Sequence, residues 1–453
     1  MKKLIVAITA FATLTVSASA QQPQALLSQV AGEVSEARLR ATIERLVGFG
    51  TRHTASDTRS NTRGIGAARR WVEREFRTMA QQCGGCLEIA TPSETISGTE
   101  RLPGPTEVVD VLAIQRGTSD PTRVIVISGH LDSRITDVMD ARSTAPGAND
   151  DGSGTAAVME AARVLSRHRF AATIVYAVLS GEEQGLHGGK ILADYARTQG
   201  WRVEADLNND IVGNTEGIGG ARDNTHVRIF SEGTRAVETP QEAARRRYNG
   251  GEVDSPSRNL ARYMDRLADE HLSNFDVVMV YRTDRFGRGG DQVRMLEAGY
   301  PSVRVTEAVE NYTRQHQTLR TEGGVRYGDT IDGVDFPYLA QVTRLNVVTM
   351  ASLASAPVPP SGVTIAGQVS ADTTVTWRAT PGAAGYRVWW RSTTDPQWRY
   401  SRTVGGDATE LKLEDIVIDD WFFGVSAVSQ EGFESPVVFP GVAGAFFPEP
   451  PAQ

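Results

Sequence analysis

Histidine, aspartate and glutamate residues recur in four short segments, each placed where a strand is predicted to end. The segments are Ser-Gly-His-Leu-Asp-Ser at 128–133, Gly-Ala-Asn-Asp-Asp-Gly-Ser-Gly at 147–154, Ser-Gly-Glu-Glu-Gln-Gly-Leu at 180–186 and Asn-Asn-Asp-Ile-Val-Gly-Asn at 208–214. Such side chains bind zinc in proteins, and a bound metal ion activates water for hydrolysis. Together the four segments predict a metallohydrolase.

Each segment taken alone has an ordinary structural explanation. A His-x-Asp sequence occurs in turns, and Asp-Asp-Gly-Ser-Gly fits a loop that ends in a helix N-cap. Paired Glu residues are common on protein surfaces. Only the succession of these segments after consecutive buried strands favours a metal site.

The elements that must position these residues alternate along residues 108–309. Apolar runs typical of buried strands lie at 124–128, 173–179, 203–208, 277–281 and 302–306. Helical periodicity covers 24–48, 60–80, 155–167, 188–198, 291–298 and 336–353. The alternation predicts an α/β sandwich with a mainly parallel sheet, whose ligand groups belong at the carboxyl ends of the strands.

Composition and charge narrow the function further. The chain has 453 residues, 40% of them hydrophobic, and a formal charge of −8 without a basic cluster, which argues against nucleic acid as a partner. Residues 1–20 predict an export signal, because Lys2 and Lys3 precede an apolar run and small residues follow it. The run is too short for a transmembrane anchor, so we expect a periplasmic or secreted protein.

The character of the chain changes after residue 354. Residues 355–362 have the composition of a linker, and 363–453 carry short runs of alternating apolar residues without an evident helix. This pattern predicts a small immunoglobulin-like β-sandwich, which around Trp377 and Tyr386 resembles a fibronectin type III domain. We expect this domain to bind a polymer or surface. We also expect that the preceding domain, residues 21–354, hydrolyses small substrates without it.

The only cysteines are Cys83 and Cys86, in a Cys-Gly-Gly-Cys sequence. Three interpretations compete: a local disulfide, a redox motif and half of a zinc knuckle. A knuckle needs further soft ligands, and a thioredoxin-like pattern is absent, so the local disulfide is favoured.

Residues 35–354 resemble the zinc-dependent aminopeptidases of the bacterial leucine aminopeptidase type. The resemblance rests on the four segments above, in their order. It implies a zinc exopeptidase fold, a three-layer α/β/α sandwich, and hydrolysis of N-terminal residues from peptides. It also implies two zinc ions per chain, bound by His130, Asp150, Glu183, Asp210 and His316.

The same resemblance implies roles for the neighbouring residues. Asp150 would bridge both ions, and a cis peptide bond would join it to Asp151. Glu182 would be the general base, and Asp132 would orient His130 as carboxylates behind metal ligands do.

The late histidine departs from the family pattern. Relatives place it in a Tyr-His-Thr-type triplet, whereas Gln315 precedes His316 here. Tyr312 is the candidate substitute for the missing tyrosine. His271 is the second candidate for the ligand, although its helical surroundings favour a surface position.

Three alternatives stay open. A carboxypeptidase or dipeptidase would use the same metals, and recognition of a substrate carboxylate by Arg282, Arg285 or Arg288 would distinguish it. Glutaminyl cyclases share the fold and use one zinc, and a non-catalytic peptide-binding ectodomain would have lost ligands. Retention of Glu182 beside the ligand set argues against the last two.

Overall fold

The fold is that of a computed structural model, which describes residues 18–447. The helices in that range are α1 Ala18–Gly32, α2 Glu36–Val47, α3 Gly64–Gln82, α4 Gly152–Leu165, α5 His187–Thr198, α6 Pro240–Asn249, α7 Pro256–His271, α8 Gln292–Glu297 and α9 Phe336–Ser355. None of these described helices has the length and apolarity needed to cross a membrane. Residues 1–17 of the expected export signal lie outside the described residues, so that signal stays a prediction.

Strands make up two separate parts of the chain. The first part contains β1 Glu88–Ala90, β2 Ser93–Ile96, β3 Thr106–Val109, β4 Val111–Gln115, β5 Asp120–His130, β6 Ala172–Leu179, β7 Arg202–Asn209, β8 His226–Phe230, β9 Asp276–Val280, β10 Ser302–Glu307, β11 Arg320–Glu322 and β12 Val325–Tyr327. The second part contains β13 Ser361–Ala366, β14 Thr373–Arg378, β15 Gly385–Ser392, β16 Tyr400–Gly405, β17 Glu410–Leu413 and β18 Trp421–Val428.

An eight-stranded sheet forms the centre of the first part, in the order β1-β4-β6-β5-β7-β10-β8-β9. β5 pairs in parallel with both β6 and β7, and β7 pairs in parallel with β10. Antiparallel pairing is confined to β1 with β4, β4 with β6 and β10 with β8. The predicted α/β fold with a mixed, mainly parallel sheet is confirmed.

Helices cover both faces of this sheet. Ile125 of β5 belongs to a buried cluster that includes Leu345 of α9, on one face. Its neighbour Val126 points the other way and packs in a cluster with Leu192 of α5. Since successive strand residues face opposite sides, an uninterrupted apolar run buries both faces and produces three layers.

The parallel strands bring three of the predicted segments to one edge. β5 ends at His130, β6 ends three residues before Glu182, and β7 ends directly before Asp210. β5 lies between β6 and β7 and runs in the same direction as both. The side chains after these strands therefore meet at the carboxyl edge of the sheet.

The turn after α3 is closed by a disulfide between Cys83 and Cys86. Of the three interpretations of this pair, the local disulfide is the one that the structure confirms. The chain has no other cysteine.

The second part contains two three-stranded antiparallel sheets, β13-β14-β17 and β16-β15-β18. Their shared core includes the rings of Trp377 and Tyr386, whose centroids are 5.3 Å apart. Residues 356–360 connect α9 to β13, and the Ala356 carbonyl accepts a 2.6 Å hydrogen bond from Arg123 of β5. The likeness to fibronectin type III stays a prediction.

Candidate metal centre

The predicted ligands reach one site from five different places in the chain. His130 is the last residue of β5, and Asp150 lies in the loop before α4. Glu183 follows β6, and Asp210 follows β7. His316 lies in the long connection between β10 and β11.

Six side chains at this site form two groups whose potential ligand atoms lie within 4.8 Å of one another. One group is His130, Glu182 and Asp210, and the other is Asp150, Glu183 and His316. Asp150 connects the groups, because its Oδ1 is 3.3 Å from Nε2 of His130 and its Oδ2 is 2.8 Å from Nε2 of His316.

Two polar atoms of the predicted ligands are left for a cation. Nε2 of His130 and Oε1 of Glu183 are buried, and neither has a hydrogen bond within the described residues. Burial alone would lower the pKa of His316, yet the carboxylates of Glu183 and Asp150 raise it to about 10. A site that favours positive charge this strongly, built from nitrogen and carboxylate donors, suits zinc.

Asp132 organises the neighbouring backbone. Its carboxylate accepts hydrogen bonds from the N–H groups of Glu182 and Glu183, at 3.3 and 3.1 Å. Nδ1 of His130 lies 3.1 Å from the Asp132 carbonyl oxygen and 3.6 Å from its carboxylate. Burial favours a raised pKa for Asp132, but hydrogen bonds to its charged form outweigh burial and lower it. The ring of His130 is thus held by the main chain of Asp132 more closely than by its side chain.

Two further carboxylates fix the loop that carries Asp150. The Asp150–Asp151 peptide bond is cis, as the family resemblance implies. Asp151 caps α4 by accepting a 2.8 Å hydrogen bond from the N–H of Gly154, and it also accepts the N–H of His130 at 2.9 Å. Asp329 accepts the N–H of Asp150 at 2.8 Å, and burial raises the pKa of Asp329 to about 7.

Comparison with known sequences gives the family. The sequence pattern of peptidase family M28 matches residues 110–319, the part that contains all the predicted ligands. A probable zinc metalloprotease of Leptosphaeria maculans is 44% identical over 423 residues, covering 92% of this chain and 97% of that protein. Another, from Pyrenophora teres f. teres, is 43% identical over 429 residues, covering 93% and 88% respectively. The chain belongs to peptidase family M28.

A solved aminopeptidase shares the fold of this M28 peptidase. The Legionella pneumophila LapA aminopeptidase aligns with a TM-score of 0.53 over 78% of this chain and 77% of that chain, at 20% identity. At this identity the likeness shows the fold alone. The two sequence relatives above are fungal, so the expected bacterial relationship is supported at the level of the fold and not by these relatives.

Sequence reasoning missed a buried arginine behind the predicted ligands of this M28 peptidase. Arg304, in β10, is fully buried, and its Nη1 lies 2.5 Å from Oδ2 of Asp210. The same nitrogen is 3.6 Å from Asp284. A charged residue in the middle of an apolar strand was the available signal, because such a residue requires a buried partner.

The cleft in front of the ligands has a volume of about 470 Å³ and is rich in arginine. Of the three arginines named for the carboxylate-binding alternative, Arg285 and Arg288 line the cleft. Arg282 is not among the lining residues and lies over the ring of Phe286. Three further arginines that sequence reasoning did not single out line the cleft: Arg101, Arg134 and Arg294.

Of the other residues named above in connection with His316, only Gln315 lines the cleft. Its amide lies 3.4 Å from Oδ2 of Asp150. Tyr312 is 57% exposed and is not among the residues lining the cleft. The side chain of His271 is only 5% exposed, so its expected surface position is wrong, and it belongs to neither ligand group.

Proposed function

We propose that this chain is a zinc-dependent aminopeptidase that binds two zinc ions and removes N-terminal residues from peptides. The observation that carries the proposal is the placement of Asp150. Its two carboxylate oxygens face different histidines, His130 and His316, and each histidine belongs to a different group of ligand atoms. His130 and Asp210 would hold one ion, and Glu183 and His316 the other.

Glu182 is the proposed proton carrier. Bound zinc would polarise the scissile carbonyl of the substrate and lower the pKa of a water molecule. Glu182 lines the cleft, and burial raises the pKa of its carboxyl group well above the ordinary value. A carboxylate with a raised pKa takes a proton from water more readily and can then deliver it to the leaving amine. Asp132 keeps Glu182 and Glu183 in position through their backbone N–H groups.

Metal analysis beside a small substrate panel tests the proposal. Elemental analysis of the purified full-length protein should find two zinc ions per chain, and a chelator should abolish hydrolysis of leucine p-nitroanilide. The N-acetylated form of that substrate should not be cleaved, because an aminopeptidase requires a free α-amine. One ion or none in active protein, or equal cleavage of the blocked substrate, would contradict the proposal.

The adjacent glutamates provide a matched pair of variants. Glu182→Gln should retain zinc and lower kcat by about 10²- to 10⁴-fold, the usual contribution of a general acid–base group. Glu183→Gln should lose zinc, because it removes a ligand charge. The opposite result, an emptied site in Glu182→Gln and full occupancy in Glu183→Gln, would show that the two roles are exchanged.

A further inference from the structure

Five arginine side chains line the cleft of a protein whose net charge is negative. Three of them form ion pairs with neighbouring acids. Arg288 lies 3.0 Å from Glu310, and Arg294 lies 2.8 Å from Glu297. Arg285 lies 3.1 Å from Asp284. Each of these three guanidinium groups therefore already contacts a carboxylate within the protein.

Arg101 and Arg134 differ, because both contact Glu183. Nη1 of Arg101 donates a 2.7 Å hydrogen bond to the backbone carbonyl of Glu183, and Arg101 has no carboxylate partner among the described residues. Nε of Arg134 is 3.6 Å from the Glu183 carboxylate, without a hydrogen bond. Nη2 of Arg134 lies 3.1 Å from Nδ1 of His316.

Glu183 is the one carboxylate within 4 Å of Arg134 among the described residues, and the proposed function assigns it to the metal. Neither Arg101 nor Arg134 therefore has an acidic partner of its own in the described part of the chain. Both side chains line the cleft, where a substrate can reach them.

We infer that Arg101 and Arg134 form a subsite for a substrate carboxylate beside Glu183 and His316. This inference rests on the proposed function and narrows its substrate class to peptides that carry a carboxylate close to the scissile bond. A substrate carboxylate provides the acidic partner that Arg101 and Arg134 lack, and guanidinium groups bind carboxylates through paired, charge-assisted hydrogen bonds. The carboxylate belongs either to a dipeptide C-terminus or to an acidic side chain.

Two pairs of substrates distinguish these sources. Leucyl-leucine against leucyl-leucine amide tests the terminal carboxylate, and glutamyl against glutaminyl p-nitroanilide tests the side chain. In at least one pair the acid should have the higher kcat/KM, by about 10- to 100-fold, the range of a hydrogen bond to a charged group. The pair that discriminates identifies the source.

Variants connect the preference to the named residues. Arg134→Gln should abolish the preference for the acid, and Arg101→Gln should reduce it. Arg288→Gln is the matched control, because Glu310 already occupies that guanidinium, and it should keep the ratio of acid to neutral substrate. Loss of the ratio in the control alone would place the subsite elsewhere and overturn the inference.

Equilibrium binding supplies a readout that does not depend on turnover. Calorimetry on the zinc-loaded Glu182→Gln protein should give a lower Kd for leucyl-leucine than for its amide if the terminal carboxylate is recognised. The same comparison uses glutamic acid 1-amide and glutamine 1-amide for the side chain. Equal Kd values and equal kcat/KM values in both pairs overturn the inference. If neutral anilides are still cleaved, the proposed function survives that result, whereas absence of zinc and of all cleavage refutes the proposed function itself.

Discussion

Arg304 is the buried positive charge behind the proposed metal ligands. It is fully buried, and it pairs at 2.5 Å with Oδ2 of Asp210, whose Oδ1 faces His130 at 3.9 Å. Coulombic attraction from Asp210 and Asp284 outweighs burial and raises the pKa of Arg304, so its charge is secured. An arginine in this position orients Asp210 toward His130, as outer partners of metal ligands do.

Replacing this arginine tests its effect on the metal site. Arg304→Met keeps an unbranched apolar stem but removes the guanidinium, which leaves Asp210 and Asp284 without their shared partner. Metal affinity should fall by about 10- to 100-fold, the usual effect of losing a partner behind a ligand. Competition with a chelator of known affinity measures this fall.

The control for Arg304 is an arginine on a neighbouring strand. Arg202 begins β7 and forms an ion pair with Asp120 at 2.6 Å, but its side chain is 43% exposed. Arg202→Met should leave metal affinity unchanged. Equal or higher metal affinity in Arg304→Met than in the unmodified protein would contradict the orienting role.

At the level of elements, the site requires β5 and α4 to approach each other closely. Gly154 lies in the first turn of α4, and a Cβ at this position would overlap the carbonyl oxygen of Asn209 and the carboxylate of Asp151. A Cβ at Gly129, one residue before the end of β5, would lie 2.8 Å from the Gly154 backbone. The two glycines let the strand end and the helix start meet, which brings His130 beside the loop of Asp150.

Gly154→Ala should therefore destabilise the protein. Overpacking in a well-packed region costs about 1–3 kcal/mol, and here the atoms that must move are backbone and a helix-capping carboxylate. Urea denaturation should show this loss in the free energy of unfolding, together with weaker metal binding. Gly104→Ala is the control, because nothing lies within 4 Å of a Cβ at that position. Equal stability of the two variants would show that the contact relaxes without cost.

Five of the eight strands of the sheet, β5, β6, β7, β9 and β10, could be predicted because each is encoded locally by an apolar run. The apolar run at 124–128 predicts the core of β5, which the structure extends to Asp120–His130. The apolar runs at 173–179 and 203–208 predict β6 and β7 to within one residue at each end. β1, β4 and β8 are not among the predicted strands. β8 is short and alternates between half-buried and buried residues at its start.

Contacts between distant loops could not be predicted. Asp329 holds the backbone of Asp150 from 179 positions away, and Arg101 reaches Glu183 from 82 positions away. Neither residue lies in a periodic segment, so no pattern in the sequence indicates its partner. A resemblance proposed the ligands and Asp132 through their motifs, whereas Arg101 lies in no such motif.

For the whole molecule, the β-sandwich and the first part of the chain share a buried charged contact. Asp254, just before α7, is fully buried and lies 2.8 Å from Arg262 of α7 and 2.8 Å from Arg391 of β15. Trp398 donates a 3.1 Å hydrogen bond to the side chain of Asn259 in the same region. Breaking a buried pair by removing one partner costs about 3–5 kcal/mol, because the remaining charge stays buried without compensation.

Asp254→Asn should therefore lower the stability of the whole chain while leaving its chemistry intact. Two buried guanidinium groups lose their only carboxylate at this contact, so the free energy of unfolding should fall by about 3–5 kcal/mol. Urea denaturation followed by tryptophan fluorescence measures the change, since Trp398 lies at the contact and is only 8% exposed. Glu73→Gln, which breaks an exposed pair with Arg77 on α3, should leave the denaturation midpoint unchanged.

At urea concentrations below its own unfolding transition, Asp254→Asn should hydrolyse small amide substrates at the rate of the unmodified protein, because Asp254 does not line the cleft. A folded variant that has lost this activity would show that the sandwich contributes to the active site and that residues after 356 are not dispensable for small substrates.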